Sequence, residues 1–269
     1  MTKMTSRLRA WIPPRLVEML AGIGGSVRYR GRYASFAQAR AHSLGYENPL
    51  SLQRGELPAL QGPITEARTL QLVAAFAPIV AARANLRVVD LGGSLGGHYY
   101  SMARLFPQTD WDWTVVETPA QVAAARTSAP VLHFATERPQ GHFDIALISG
   151  TLQYLPDPYA VLRDFAAHAD YVVLNRLPVA AEDIATVQVV KGQGSYPALL
   201  PGERKLMNAL AELGEIVMQW ECPADQISLG ASRVRHRGFL LRVHQNCKET
   251  TRTCVPFGML IDEPVVLNA

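Results

Sequence analysis

The stretch Arg87-Val88-Val89-Asp90-Leu91-Gly92-Gly93-Ser94-Leu95-Gly96-Gly97 decides how the rest of the chain is read. A short apolar run ends in an acid and gives way to four glycines within six positions. The run is too short for a helix and suits a strand with both faces covered. Glycine permits positive φ and lets the main chain approach a ligand, and the helix that follows offers unpaired N–H groups in its first turn. Strand, turn and helix in this order predict a nucleoside-bearing ligand on Gly92, Gly93, Ser94 and Gly96. Asp90, at the carboxyl end of the strand, is placed to anchor the turn and to face a cationic group.

A second acid at the end of the next strand is an independent check, because two ribose hydroxyls need a bidentate acceptor there. Glu117 ends the run Trp113 to Glu117, 27 residues after Asp90, which leaves room for one helix, a loop and one strand. Thr118 follows as an N-cap with Pro119 at the first helical position. The spacing Asp90-x-Gly92-x-x-x-Gly96 departs from the Gly-x-Gly-x-x-Gly turn of dinucleotide sites. The acid directly before the glycines favours a methyltransferase site binding S-adenosylmethionine. A nicotinamide-dependent oxidoreductase and a ligand-free tight turn are the competing readings.

Outward from this motif, apolar runs alternate with helix-like stretches from residue 85 on, the signature of a parallel sheet covered by helices. Strands are expected at Arg87 to Leu91, Trp113 to Glu117, Val131 to Ala135, Asp144 to Ser149 and Tyr171 to Asn175. Helices are expected over Gly97 to Phe106, Pro119 to Arg126, Pro158 to His168 and Glu203 to Leu213. An irregular section is expected from Arg176 to Pro201, and two late strands, Glu215 to Glu221 and Gly238 to His244, close the count. Five strands and an antiparallel pair imply an α/β fold, a Rossmann-like seven-stranded methyltransferase sheet. Residues 1–84 lie outside this rhythm and read as an N-terminal helical cap, with a polar aromatic segment at Tyr29 to Tyr46 and an Ala-rich helix at Thr65 to Arg83. Residues 85–246 form the methyltransferase domain and 247–269 a C-terminal tail.

The 269 residues are 48% hydrophobic and 18% charged, enough for a substantial core. A formal charge of +3 with scattered basic residues argues against a nucleic-acid partner. Cys222, Cys247 and Cys254 are odd in number and widely spaced, which excludes a disulfide frame and a metal site of paired cysteines and fits a cytoplasmic protein. No stretch approaches the roughly 20 apolar residues of a membrane helix. Leu8 to Ile23 mixes apolar residues with Arg9 and Arg15, as a helix touching a membrane surface does, and equally as one packing on the domain or on a partner subunit.

Beyond the glycine turn, the chain resembles a family of largely uncharacterised bacterial class I S-adenosylmethionine-dependent methyltransferases, often encoded near surface-polysaccharide genes. The similarity runs from Tyr29-Arg30-Gly31-Arg32-Tyr33-Ala34-Ser35-Phe36 and Ser43-Leu44-Gly45-Tyr46 through Asp90 to Tyr100 and Val115-Val116-Glu117-Thr118-Pro119. It continues in Ser149-Gly150-Thr151-Leu152-Gln153-Tyr154-Leu155, Asn175-Arg176 and Ser195-Tyr196-Pro197. Two positions depart from the family pattern: Gly97-His98 stands where small hydroxyl residues are expected, and Asn175 where an acid is expected. The resemblance implies S-adenosylmethionine as cofactor and a place in polysaccharide biosynthesis, and names no substrate.

Methyl transfer from a sulfonium is an in-line displacement, so alignment and exclusion of water dominate, and a base is needed only when the acceptor must lose a proton. Ser149 and Gly150 end the fourth strand, where class I enzymes place the loop beneath the methyl group. Gln153 and Tyr154 can orient an acceptor. His98, one turn into the helix, is either a base suited to neutral pH or a helix-terminal histidine without a chemical role. Tyr99 and Tyr100 read as packing or as ligand contacts. Arg176 is either the holder of an anionic substrate or half of a structural ion pair. Tyr29, Arg32, Tyr33, His42 and Tyr46 either cover the site or fasten the cap. The expected function is O-methylation of a small or carbohydrate-like acceptor. The alternative is a non-catalytic cofactor-binding partner in a biosynthetic complex, and the oligomeric state stays open.

Overall fold

The computed structural model describes residues 27–46, 65–128, 131–190, 194–222, 227–229 and 232–247. The chain runs through β1 (Val27–Tyr33), α1 (Phe36–Ala41), α2 (Ala67–Ala82), β2 (Asn85–Leu91), α3 (Gly97–Leu105), β3 (Asp110–Val116) and α4 (Pro119–Ser128). It continues with β4 (His133–Ala135), β5 (Phe143–Ser149), a 3-10 turn (Leu152–Tyr154), α5 (Pro158–Ala167) and β6 (Ala169–Val179). The last part holds β7 (Ile184–Val190), β8 (Gly194–Leu200), α6 (Glu203–Leu213), β9 (Gly214–Glu221), β10 (Ile227–Leu229) and β11 (Ser232–Val243).

The body of the central sheet has the order β4-β3-β2-β5-β6-β11-β9. Its first five strands are parallel, β11 lies antiparallel to both β6 and β9, and β10 folds back on the start of β11. This is the Rossmann-like α/β sheet expected. From β2 the chain first winds outward through β3 and β4, then crosses to β5 and β6, so the winding reverses between β2 and β5. A crevice opens at the carboxyl ends of strands where such a reversal occurs.

Alternation of side chains along β2 feeds two cores. Val88 packs with Phe76 and Leu72 of α2, Met102 of α3 and Trp113 of β3 on one face. Val89 and Leu91 pack with Leu162 and Phe165 of α5 and Leu206 and Leu210 of α6 on the other. Burial on both faces is why these strands read as unbroken apolar runs.

The section from Arg176 to Pro201 is not irregular. It holds the end of β6 and a hairpin, β7 and β8, inserted before α6 and closed at its neck by Ala180 N–H to Pro201 O (3.0 Å) and Glu203 N–H to Ala180 O (2.8 Å). β1 adds to β7, giving a second, three-stranded antiparallel sheet in the order β1-β7-β8. The strand pattern is obscured because Thr186 and Gln188 are polar and yet buried. Their partners lie far away in sequence: the Thr186 hydroxyl donates to Gly31 O at 2.7 Å, and Gln188 Oε1 accepts from the Tyr154 hydroxyl. The N-terminal cap therefore contains α1 and α2 together with a strand. No helix among the described residues is long and apolar enough to cross a membrane. The stretch Leu8 to Ile23, Cys254 and all of the tail after residue 247 lie outside the described residues.

Candidate functional site

The glycine turn leaves β2 at the predicted crevice. Gly92 has φ 72°, Gly96 has φ 82°, and Ser94 between them adopts φ 52°, so the loop coils in the left-handed region before entering α3. At Gly92, Gly93 and Gly96 the place of a Cβ is taken by the chain's own Thr151, Asp90 and Leu132 side chains, at 2.2, 2.4 and 2.1 Å. The glycines thus serve close packing beneath the loop, which differs from the sequence expectation that they clear space for a ligand. The loop's main chain still forms one wall of a cleft of about 570 Å³, within the usual range for small-molecule sites.

Gly92, Gly93, Ser94, Leu95, Gly97 and His98 line this cleft on one side, and Ser149, Asn175 and Arg176 on another. Glu66, Arg68, Thr69 and Leu72, at the start of α2, complete it. The last group was not foreseen, because nothing in the sequence around Glu66 signals that α2 begins at the sheet's crevice.

Asp90 is fully buried, and its Oδ2 lies 3.0 Å from Nδ1 of His98. A carboxylate only accepts, so Nδ1 carries the hydrogen and the lone pair of a neutral ring resides on Nε2. Asp90 Oδ1 is buried without a hydrogen-bond partner in the structure. Asp90 thus contacts His98 of α3, and its carboxylate occupies the place that a Cβ on Gly93 would take.

Glu117 caps β3 beneath the loop. Its Oε1 accepts from Ser94 N–H at 3.0 Å and its Oε2 from Thr118 N–H at 3.1 Å. Burial pushes its carboxyl up to about 7, against the lowering influence of those two amides and with Asp90 adding to the rise. Glu117 does not line the cleft; it faces the underside of the turn. An ionised carboxylate has about four acceptor sites, of which the two amides occupy two. Thr118 caps α4 through its hydroxyl to Gln121 N–H (3.3 Å), and Gln121 reaches back to the Ser94 hydroxyl at 3.2 Å, a contact across the loop that no local pattern announces.

Other candidates separate. Gln153 is buried and donates to Gly150 O at 2.8 Å, with its Oε1 unpaired. Tyr154 points away from the cleft to Gln188 of β7, packed with Tyr46 and Tyr196 at ring distances of 5.6 and 6.0 Å. Burial raises its hydroxyl above the ordinary tyrosine range. Tyr154 joins the two sheets rather than the cleft. The Tyr33 and His42 rings meet at a tilt with centroids 5.0 Å apart, and Arg32 pairs with Glu182 at 3.1 Å. These cap residues and Tyr29 are absent from the cleft wall and fasten β1 and α1 to the hairpin. Tyr99 packs edge-on to Trp113 at 6.0 Å.

Asn175, where an acid was expected, is buried in a network: its Nδ2 donates to Ser149 Oγ at 3.3 Å, and its Oδ1 accepts from Trp220 Nε1 at 3.0 Å. The amide meets the two partners with one donor and one acceptor. Arg176 follows at the cleft, with φ 53° and its Nη1 3.6 Å from the place of a Cβ on Gly150.

No protein-family model matches the chain, and neither does any curated protein. Among solved structures, the N-terminal domain of EvdMO1 in the presence of SAH and D-fucose is similar at 19% identity, with 68% of this chain and 86% of that one covered and a TM-score of 0.45. An S-adenosylmethionine-dependent methyltransferase from Clostridium acetobutylicum is similar at 9% identity, with 65% and 92% covered and a TM-score of 0.44. CalS10, an amino pentose methyltransferase from Micromonospora echinaspora, shares 16% identity over 64% and 91% at a TM-score of 0.39. Likenesses this distant carry no functional weight, which rests on the chain's own site.

Proposed function

We propose that the chain is an S-adenosylmethionine-dependent methyltransferase acting on a hydroxyl of a small, carbohydrate-like acceptor. The observation that carries this reading is the cleft at the point of strand reversal, walled by the glycine loop with Glu117 buried directly beneath it. The loop's main chain offers the cofactor a wall, while Glu117 and Asp90, both buried and outside the cleft lining, act from beneath by holding Ser94 and His98 rather than by the direct ribose contact expected of Glu117. Gly92, Gly93, Ser94 and Gly96 of the turn, with Thr118 below it and Ser149 and Gly150 opposite, are the further residues assigned to holding it. Bound there, the cofactor supplies an electrophilic methyl group.

What the protein adds is alignment, exclusion of water and a place for one proton. Asp90 fixes the His98 ring so that Nε2 is the proton acceptor, the arrangement by which a carboxylate orients a catalytic imidazole. An acceptor that needs a base is one that carries a proton on the attacked atom, which supports a hydroxyl. Thr69, Ser101 and Ser149 offer hydroxyl partners to a polyol. Gln153 acts from below, holding Gly150, and Tyr154 has no direct part.

Calorimetric titration with SAH, followed by turnover assays on fractionated cell extract, tests this reading. We expect SAH to bind, and His98→Gln to lower turnover by roughly a hundredfold or more with SAH affinity retained. Tight SAH binding without any acceptor-dependent turnover would instead identify a non-catalytic cofactor-binding partner. Preference for NAD over SAH would identify an oxidoreductase.

A further inference from the structure

A bulge interrupts the pairing of β6 with β11. Leu174 lies opposite Phe239 and Leu177 opposite Arg237, so Asn175 and Arg176 together face Gly238 alone. Bulges of this kind re-aim a side chain, and they sit preferentially beside active sites. Here the extra residue is Arg176, held at φ 53°, a conformation that a residue with a Cβ adopts at a cost. No turn demands it, since the strand continues to Val179 on the far side.

The distortion is locked from two strands away. Trp220 of β9 pairs with Gly238 of β11, and a Cβ at 238 would fall 2.0 Å from the indole. The missing side chain lets Trp220 cross over β11 and donate from Nε1 to Asn175 Oδ1 at 3.0 Å. Asn175 in turn holds Ser149 at the end of β5. Three strands therefore cooperate to keep Asn175 turned inward and the next residue lining the cleft. Its neighbours there include Glu66, which Arg68 engages at 2.9 Å. Chiefly that hydrogen bond, and at longer range the Arg176 charge, hold Glu66 below the usual carboxylate range. Arg68 pairs with the Glu66 carboxylate at the cleft, and Arg176 acts on it through its charge alone.

We propose that Arg176 is the anion-binding residue of the acceptor subsite, so that the acceptor carries a carboxylate or phosphate group close to the hydroxyl that is methylated. Trp220 and Asn175 are its positioning residues. A guanidinium matches either anion with two parallel N–H donors. The assignment deepens the methyltransferase reading and rests on it only for the identity of the cleft's other occupant.

The test titrates D-glucose, D-glucuronate and D-glucose 6-phosphate into the full chain, each with and without saturating SAH. One or both anionic sugars should bind about tenfold or more tighter than glucose, the worth of a charge-assisted pair, and which of the two does so separates carboxylate from phosphate. Arg176→Gln should erase that preference and leave SAH affinity in place. Trp220→Phe, which keeps the ring and removes the donor, should reduce the preference while SAH affinity holds. Arg176→Gly, free of the conformational cost of φ 53°, should also lack the preference. The proposal is overturned if the wild type shows no preference, if the preference survives Arg176→Gln, or if that variant loses SAH affinity instead, which would hand Arg176 to the cofactor. Anion preference without any SAH binding would sink the methyltransferase reading and sustain the anion subsite.

Discussion

Glu117 and Gly93 show at single-residue scale what the glycine turn requires. Glu117 has a folded pKa near 7 against 4.5 for the free side chain, because burial opposes its charge. Between those values the folded state holds a proton that the unfolded chain has released. This group's stabilisation is therefore complete below about pH 4.5 and is lost by about pH 7, a change on the order of 3 kcal/mol. Denaturant titrations of wild type and Glu117→Gln should differ in slope across that window and run parallel above it. At Gly93 a methyl group would sit 2.4 Å from Asp90 Oδ2. Gly93→Ala should displace the Asp90 and His98 pair, cost about 1–3 kcal/mol by overpacking, and weaken SAH in calorimetry. That a glycine belongs at 93 was evident from the sequence; that the neighbour it accommodates is Asp90 was not.

At the scale of elements, β2 was legible because both its faces are buried and β3 because it ends in a buried apolar run, whereas β7 and β8 were not. Buried Thr186 and Gln188 break the apolar pattern, and they are tolerated only because β1 and the turn after β5 satisfy them. Helix α2 was recognised as a helix, yet its packing against β2 and β3 depends on contacts no periodicity reveals. Phe76 is fully buried and stacks on Trp113 at 5.9 Å with planes 16° apart. Phe76→Ala should cost about 3–5 kcal/mol, read from the urea midpoint at constant slope. The same change should weaken SAH only slightly, because Phe76 lies outside the cleft, which that helix reaches through Arg68, Thr69 and Leu72 of its first turns.

For the whole molecule, a ligand that binds only the folded state must stabilise it by mass action. SAH at a hundred times its dissociation constant should add about 2.7 kcal/mol and raise the melting temperature by several degrees, with NAD at equal concentration giving no shift. The sequence by itself determined the α/β class, the turn after β2 and the two acids at adjacent strand ends, because these follow from chain-local rules: strand periodicity, the freedom of glycine and the spacing of one helical crossover. Only the tertiary structure decided that Tyr154 belongs to the joint between the sheets, that Glu117 grips the underside of the loop, and that Asn175 and Arg176 share a bulge opposite Gly238. Each of those facts is a contact between segments far apart in the chain, Trp220 and Asn175 standing 45 residues apart. A side chain's direction there is set by what packing leaves open, which no local stretch encodes.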